Sequence, residues 1–119
     1  DPNYASAYEA GNSTYLNGGV GLSKYTGSRG KSGSNDANAE FVAQVRKIFD
    51  EGDVLWQIGE LGKVDQGGGG TVALDISRMN ADVIDVGVPV LSMHSPFEVV
   101  SKLDVYMAYK GFKTYFEAK

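Results

Sequence analysis

The stretch from Val83 to Glu98, V-I-D-V-G-V-P-V-L-S-M-H-S-P-F-E, decides how the chain is read. Val83, Ile84, Val86, Val88, Val90 and Leu91 form a dense run of β-branched and aliphatic side chains, which predicts a strand or strand pair buried on both faces. A helix start follows. Ser95 is placed to cap, Pro96 takes the first helical position, where its missing N–H is no loss, and Glu98 stands three residues after the cap to close a capping box. His94, the single histidine, therefore falls between the carboxyl end of a strand and the amino end of a helix, where open α/β sheets bind ligands. Taken alone, His94 reads either as a loop histidine bonded to a carbonyl or as a ligand. One imidazole does not make a metal site, because catalytic zinc takes three protein ligands and keeps an open position.

Upstream of that stretch, Gly59 to Thr71 reads G-E-L-G-K-V-D-Q-G-G-G-G-T. Four consecutive glycines suit no regular element. They fit either a tight turn or a close backbone approach at a helix that starts at Thr71, with Val72, Ile76 and Met79 repeating on one face. Amides at that start are candidates to face a carboxylate or an oxyanion. The phosphate-loop pattern fails, since Lys63 precedes the glycines and no Ser or Thr follows it directly; no G-x-G-x-x-G occurs either.

Further upstream, Val54 to Ile58 predicts a strand. Before it, Phe41, Val42, Val45, Ile48 and Phe49 mark one face of a helix capped by Asn35 or Asp36 and ended by Gly52. The Gly/Ser-rich segment from Thr26 to Asp36 carries Arg29 and Lys31, and reads as a surface connection or an anion cradle. Gly19 to Tyr25 predicts a short strand. Residues 1–18 read as an irregular loop with one helical turn at Tyr4 to Ala10. At the other end, a helix is expected from Pro96 to Phe116, with Val100, Leu103, Met107, Phe112 and Tyr115 or Phe116 as its apolar stripe. The resulting order of strand, helix, strand, helix, strand, helix predicts an α/β domain with a mostly parallel sheet.

With 119 residues there is room for one domain. The formal charge of −4 and the dispersed Lys and Arg residues argue against a nucleic-acid partner. No apolar run approaches the roughly 20 residues of a membrane span. The absence of cysteine excludes a disulfide framework and a thiolate metal site, and fits a cytoplasmic protein. The chain starts D-P-N-Y without Met, which does not look like a natural beginning.

The segments G-E-L-G-K-V-D-Q-G-G-G-G-T-V-A and A-D-V-I-D-V-G-V-P-V-L-S-M-H-S-P-F-E together resemble the C-terminal part of the aspartyl aminopeptidase and aminopeptidase I family of zinc metallopeptidases. D-P-N-Y-A, K-Y-T-G-S-R-G-K-S-G and D-A-N-A-E-F look like the same family's bacterial members, so the resemblance spans the chain. It implies a three-layer, zinc-peptidase-like α/β sandwich, with residues 1–119 as the C-terminal portion of the catalytic domain. It also implies that the histidine of S-M-H-S-P, His94, binds one of two adjacent zinc ions, and that the reaction removes an N-terminal amino acid from a peptide.

The family's other ligands, its glutamate base and its inserted β-rich domain belong to segments that this sequence lacks. On this reading the chain alone is inactive and its partner is the missing N-terminal part, within a homo-oligomer. Lys63 is a candidate to pair with an acidic side chain or terminal carboxylate of the substrate, and the amides around Gly69, Gly70 and Thr71 to bind its backbone. Glu60, Asp65, Asp82 and Asp85 lie near strand ends or turns and are assigned no metal. The competing expectations are a non-catalytic assembly or interaction module and, third, an anion-binding module built on the two glycine-rich loops.

Overall fold

A computed structural model describes residues 6, 9–27, 34–60, 63 and 70–119. After a 3₁₀ turn at Ala10–Asn12 come β1 (Val20–Ser23), β2 (Tyr25–Thr26), β3 (Asn35–Asp36), α1 (Ala39–Glu51), β4 (Trp56–Ile58), α2 (Val72–Ser77), β5 (Asp85–Gly87), β6 (Val90–Leu91), β7 (Val99–Val100) and α3 (Lys102–Glu117). The helical turn expected at Tyr4 to Ala10 lies largely outside the described residues, as do Arg29 and Lys31.

The alternation of strands and helices is the one the sequence predicts. β1 is the central strand of a three-stranded sheet, order β4-β1-β5. It runs parallel to β4, pairing Val20 with Trp56 and Leu22 with Ile58, and antiparallel to β5, pairing Leu22 with Val86. The expected parallel character is thus confined to the β1–β4 join. Two further antiparallel pairs, β2 with β3 and β6 with β7, stand apart from this sheet.

Val20 and Leu22 are two residues apart and so share a face. Both are fully buried against Val45 and Phe49 of α1, with Val54, Ala108 and Trp56 around them. Burial of each such side chain stabilises by about 1.5–3 kcal/mol. Helices α1 and α3 pack on this face.

Helix α1 buries the face predicted for it and ends at Gly52. Its cap is neither Asn35 nor Asp36, which are taken into β3. Asn38 caps instead, its Oδ1 accepting from Phe41 N at 2.7 Å.

Helix α3 departs further from expectation. It begins at Lys102, not Pro96, capped by Ser101, whose Oγ accepts from Leu103 N. The Val99–Val100 pair goes into β7, paired with Val90 and Leu91, which leaves Ser95 and Pro96 in the connecting turn. The predicted stripe is largely exposed, with Phe116 at 81%. The buried residues of α3 are Asp104 and Gly111, with Ala108 between them. Small side chains let the helix approach closely: a Cβ on Gly111 would stand 3.2 Å from Phe49 Cζ.

Two other expectations give way. The 83–91 run is only half-buried in β5 and β6, and Val72 and Ile76 of α2 and Met79 in the turn after it are exposed while Ala73 is buried. An apolar periodicity marks a face fit for burial: Ile84 and Val86 pack at the edge of the core, whereas Val72 and Ile76 stay exposed among the described residues.

Candidate functional site

His94 lies in the turn of the β6–β7 hairpin, where every residue from Leu91 to Val100 is exposed. Two residues of this turn hold positive φ, Ser92 at 58° and His94 at 68°. For L side chains that region costs about 1–2 kcal/mol per residue, and such strain concentrates at functional positions. Ser95 N donates to Ser92 O at 3.0 Å, Ser95 Oγ donates to Phe97 O at 2.6 Å, and His94 N donates to Glu98 Oε1 at 2.5 Å. The His94 ring makes no hydrogen bond with a described residue and is presented to the exterior.

An exposed, uncommitted imidazole is a suitable zinc donor. Among the described residues, however, no three His, Cys, Asp or Glu side chains group as a metal site. His94 could hold a metal only together with ligands from outside the described residues.

The second region surrounds the carboxyl ends of the parallel strands. Ser23 Oγ donates to Gly59 O at 2.6 Å, and Gly59 N donates to Leu22 O at 3.1 Å, fastening β4 to β1 where both end. Glu60 follows, and its carboxylate accepts from Tyr25 N at 3.2 Å. Burial pushes the Glu60 pKa above the usual carboxylate range; the Tyr25 bond and Lys24 pull it down, and Asp36 adds to the rise.

Of the expected substrate residues, Lys63 is half-buried and forms no ion pair with a described residue, Gly69 lies outside the described residues, and Gly70 is exposed in open space. Thr71 has a local task. Its Oγ1 donates to Asp85 Oδ2 at 2.9 Å and accepts from Ala73 N at 3.2 Å, capping α2 and tying it to β5. The amides of Ala73 and Leu74 are both turned onto Thr71, at its Oγ1 and its carbonyl, so they do not face outward.

Of the other carboxylates, Asp82 accepts from Asn38 Nδ2 at 2.6 Å, Asp85 holds Thr71, and Asp65 lies outside the described residues. The structure thus couples Thr71 with Asp85, Glu60 with Tyr25 and His94 with Glu98, as three separate local arrangements. The sequence reading gave Glu98 a helix cap and did not connect it with His94. It passed over Asp104, although Ser101 three residues before that acid is the start of a capping pattern.

The sequence model of the aminopeptidase I zinc metalloprotease (M18) family matches residues 1–116. A probable M18 family aminopeptidase 1 of Clostridium acetobutylicum is 51% identical over 115 residues, 97% of this chain and 25% of that protein. Its counterpart in Thermotoga maritima is 50% identical over 117 residues, 98% of this chain and 26% of that protein. The crystal structure of aminopeptidase I from C. acetobutylicum superposes with a TM-score of 0.88 at 50% identity, covering 99% of this chain and 26% of that one. The T. maritima M18 aminopeptidase structure gives 0.86 at 50% identity, covering 96% and 25%. A structure of the S. cerevisiae mApe1 dodecamer, 21% identical with a TM-score of 0.67 over 98% of this chain and 24% of that one, shares the fold.

The α/β fold is that of the M18 aminopeptidases, a class of metallopeptidases. The chain belongs to the aminopeptidase I zinc metalloprotease family, and it spans about a quarter of the length of the curated relatives it matches.

Proposed function

We propose that this chain is part of a zinc-dependent aminopeptidase that removes N-terminal amino acids, acidic ones in particular, from peptides. In this reading His94 supplies one ligand to a two-zinc centre, and Lys63, Gly69, Gly70 and Thr71 form part of the substrate wall. The observation that carries it is the family match over residues 1–116 together with an exposed imidazole left free in a strained turn. Zinc, when bound, supplies a Lewis acid and lowers the pKa of its water. This chain's residues hold the imidazole on a short hairpin, fasten Gly59 at the ends of β1 and β4, and offer the Lys63 ammonium to an anionic group.

The test uses the full-length enzyme. His94→Ala is expected to lose bound zinc and hydrolysis of an aspartyl anilide together; full zinc and full activity in that variant would end the assignment. Lys63→Ala is expected to lower kcat/KM on aspartyl more than on alanyl substrates. An unchanged ratio between the two would remove Lys63 from the substrate wall.

A second reading, assembly, has its own support. Tyr106, Tyr109, Phe112 and Phe116 of α3 are all exposed, and exposed apolar surface of this kind marks interaction sites. We place these side chains against other parts of the same enzyme or its copies, in a cytoplasmic homo-oligomer. Sedimentation of the full-length enzyme as a monomer would refute the oligomer.

A further inference from the structure

The backbone at His94 needs an explanation that packing does not supply. The turn from Ser92 to His94 holds two non-glycine residues at positive φ, yet every residue from Leu91 to Val100 is exposed. Among the described residues no neighbouring side chain presses the turn into shape, and its own polar contacts are what hold it. Of those contacts, the bond from Ser95 N to Ser92 O closes a turn with His94 at its third position, and the bond from Ser95 Oγ to Phe97 O lies wholly after His94; neither uses an atom of His94. The bond that engages His94 itself is the one from its amide to Glu98 Oε1, at 2.5 Å. Glu98 immediately precedes β7, whose Val99 is paired with Leu91. Its backbone is therefore anchored by the ladder, while its side chain reaches back across the turn.

We propose that Glu98 is the positioning residue for His94: its carboxylate captures the His94 amide, fixes the left-handed backbone there, and so sets the direction in which the imidazole leaves the hairpin. The proposal rests on the reading of His94 as a zinc ligand. A carboxylate that orients a metal-binding histidine commonly does so through the second ring nitrogen. Here the control acts on the backbone amide, and both ring nitrogens stay uncommitted toward the described residues. The role asks for two properties, an acceptor oxygen and a side chain long enough to recross four residues. It does not ask for a negative charge.

That distinction supplies the experiment. Full-length Glu98→Ala, Glu98→Gln, Glu98→Asp and His94→Ala proteins are equilibrated with increasing concentrations of a zinc chelator, and retained zinc per chain is measured by mass spectrometry. Thermal unfolding of each metal-free protein is followed in parallel. Glu98→Ala is expected to release zinc at about 10–100-fold lower chelator concentration, the loss typical when an outer partner of a ligand is removed, with the metal-free Tm unchanged. Glu98→Gln, which keeps the acceptor and the reach, should retain zinc nearly as the wild type does. Glu98→Asp, which keeps the charge but is one methylene shorter, should resemble Glu98→Ala.

Wild-type zinc retention in Glu98→Ala would overturn the proposal. So would the reverse order, Asp retaining and Gln losing zinc, which would show that Glu98 acts by its charge. A fall in metal-free Tm that accounts for the loss would make the role structural only. If Glu98→Ala does not fold, the Gln and Asp pair decides. The His94→Ala protein separates the two ideas: zinc retained there removes the ligand reading, whereas zinc lost there but kept in Glu98→Ala removes only the positioning role.

Discussion

The carboxylate of Asp104, fully buried in the first turn of α3, accepts from Gly19 N at 2.9 Å through Oδ1 and from Asn17 N at 2.9 Å through Oδ2. One side chain thus satisfies two backbone donors in the turn that leads into the central strand. Asn17 and Gly19 both have positive φ, and Ser101, the cap of α3, donates to Asn17 Oδ1 at 2.6 Å. The start of the last helix and the approach to the first strand form one hydrogen-bonded unit.

Asp104→Ala leaves both amides without that acceptor. The orphaned Gly19 donor is buried and costs about 1–3 kcal/mol, and the Asn17 donor, in an exposed residue, costs less, so a loss of roughly 2–4 kcal/mol is expected in urea unfolding. Asp104→Asn should fall between, because its amide keeps one acceptor and turns an NH₂ toward the other donor. Equal stability of Asp104→Ala and wild type would show the clamp to be dispensable.

Gly19 should tolerate no side chain. Its φ is 86°, and a Cβ there would stand 2.1 Å from the Leu55 carbonyl oxygen, which accepts the Val20 amide. Gly19→Ala is therefore expected to cost more than 3 kcal/mol or to prevent folding, well beyond the 0.5–1 kcal/mol at stake for glycine elsewhere. Gly87→Ala, in the same sheet with nothing within 4 Å of the added carbon, is the control and should change stability by less than about 0.5 kcal/mol. Equal effects at the two sites would refute the steric argument.

Phe49 is the largest of the fully buried side chains and joins α1 to β1 and to Gly111 of α3. Phe49→Ala is expected to lose about 3–5 kcal/mol through the cavity it opens. The added mutation Gly111→Ala in that background should be tolerated better than in the wild type, since its Cβ would enter the vacated space. A double-mutant cycle by denaturant unfolding measures the coupling.

Glu60 makes stability depend on pH in a definite direction. Burial raises its folded pKa, opposed by the Tyr25 amide and Lys24 and reinforced by Asp36. Between the unfolded value near 4.3 and the higher folded value, the native state binds more protons than the unfolded state. The Glu60 contribution is therefore fully present below the unfolded value and is lost as pH rises through the folded one. Relative to wild type, Glu60→Gln should gain stability as pH rises above about 4.3 and then level off. A difference independent of pH between 4 and 7, measured by urea unfolding, would contradict this origin.

Much of the architecture was legible in the chain. Phe41, Val45, Ile48 and Phe49 announced the buried face of α1, and Gly52 its end, because a single helix and its nearest strands decide those features. Thr71 was placed correctly at the start of α2. The start of α3 was not legible, since two capping patterns stand six residues apart. Ser95-Pro96-Phe97-Glu98 satisfies every local rule, and Ser101-Lys102-Leu103-Asp104 satisfies most of them. Pairing of Val99 and Val100 with Leu91 and Val90 selects the second, a choice made across the hairpin and invisible to a local window. The exposed faces of α2 and α3 were misjudged for a related reason: periodicity reports that a face is apolar, and not what lies against it. At the candidate site, His94 was singled out by motif, whereas its bond to Glu98 depended on the turn that the helix reading had removed.

The position of β1 in the sheet also governs the order in which the molecule can assemble. Among the described strands it comes first in sequence, its partners β4 and β5 both follow it, and the acceptor of the Gly19 amide lies 85 residues downstream. During synthesis Val20 and Leu22 emerge before β4 and β5, the strands that pair with β1, whereas α1 forms from local contacts. Closing such distant contacts costs chain entropy before it returns any stability, which slows folding and leaves the waiting strand open to association. The central strand is locked only when α3 has emerged, so a ribosome paused before Asp104 holds a sheet whose middle is not yet fixed.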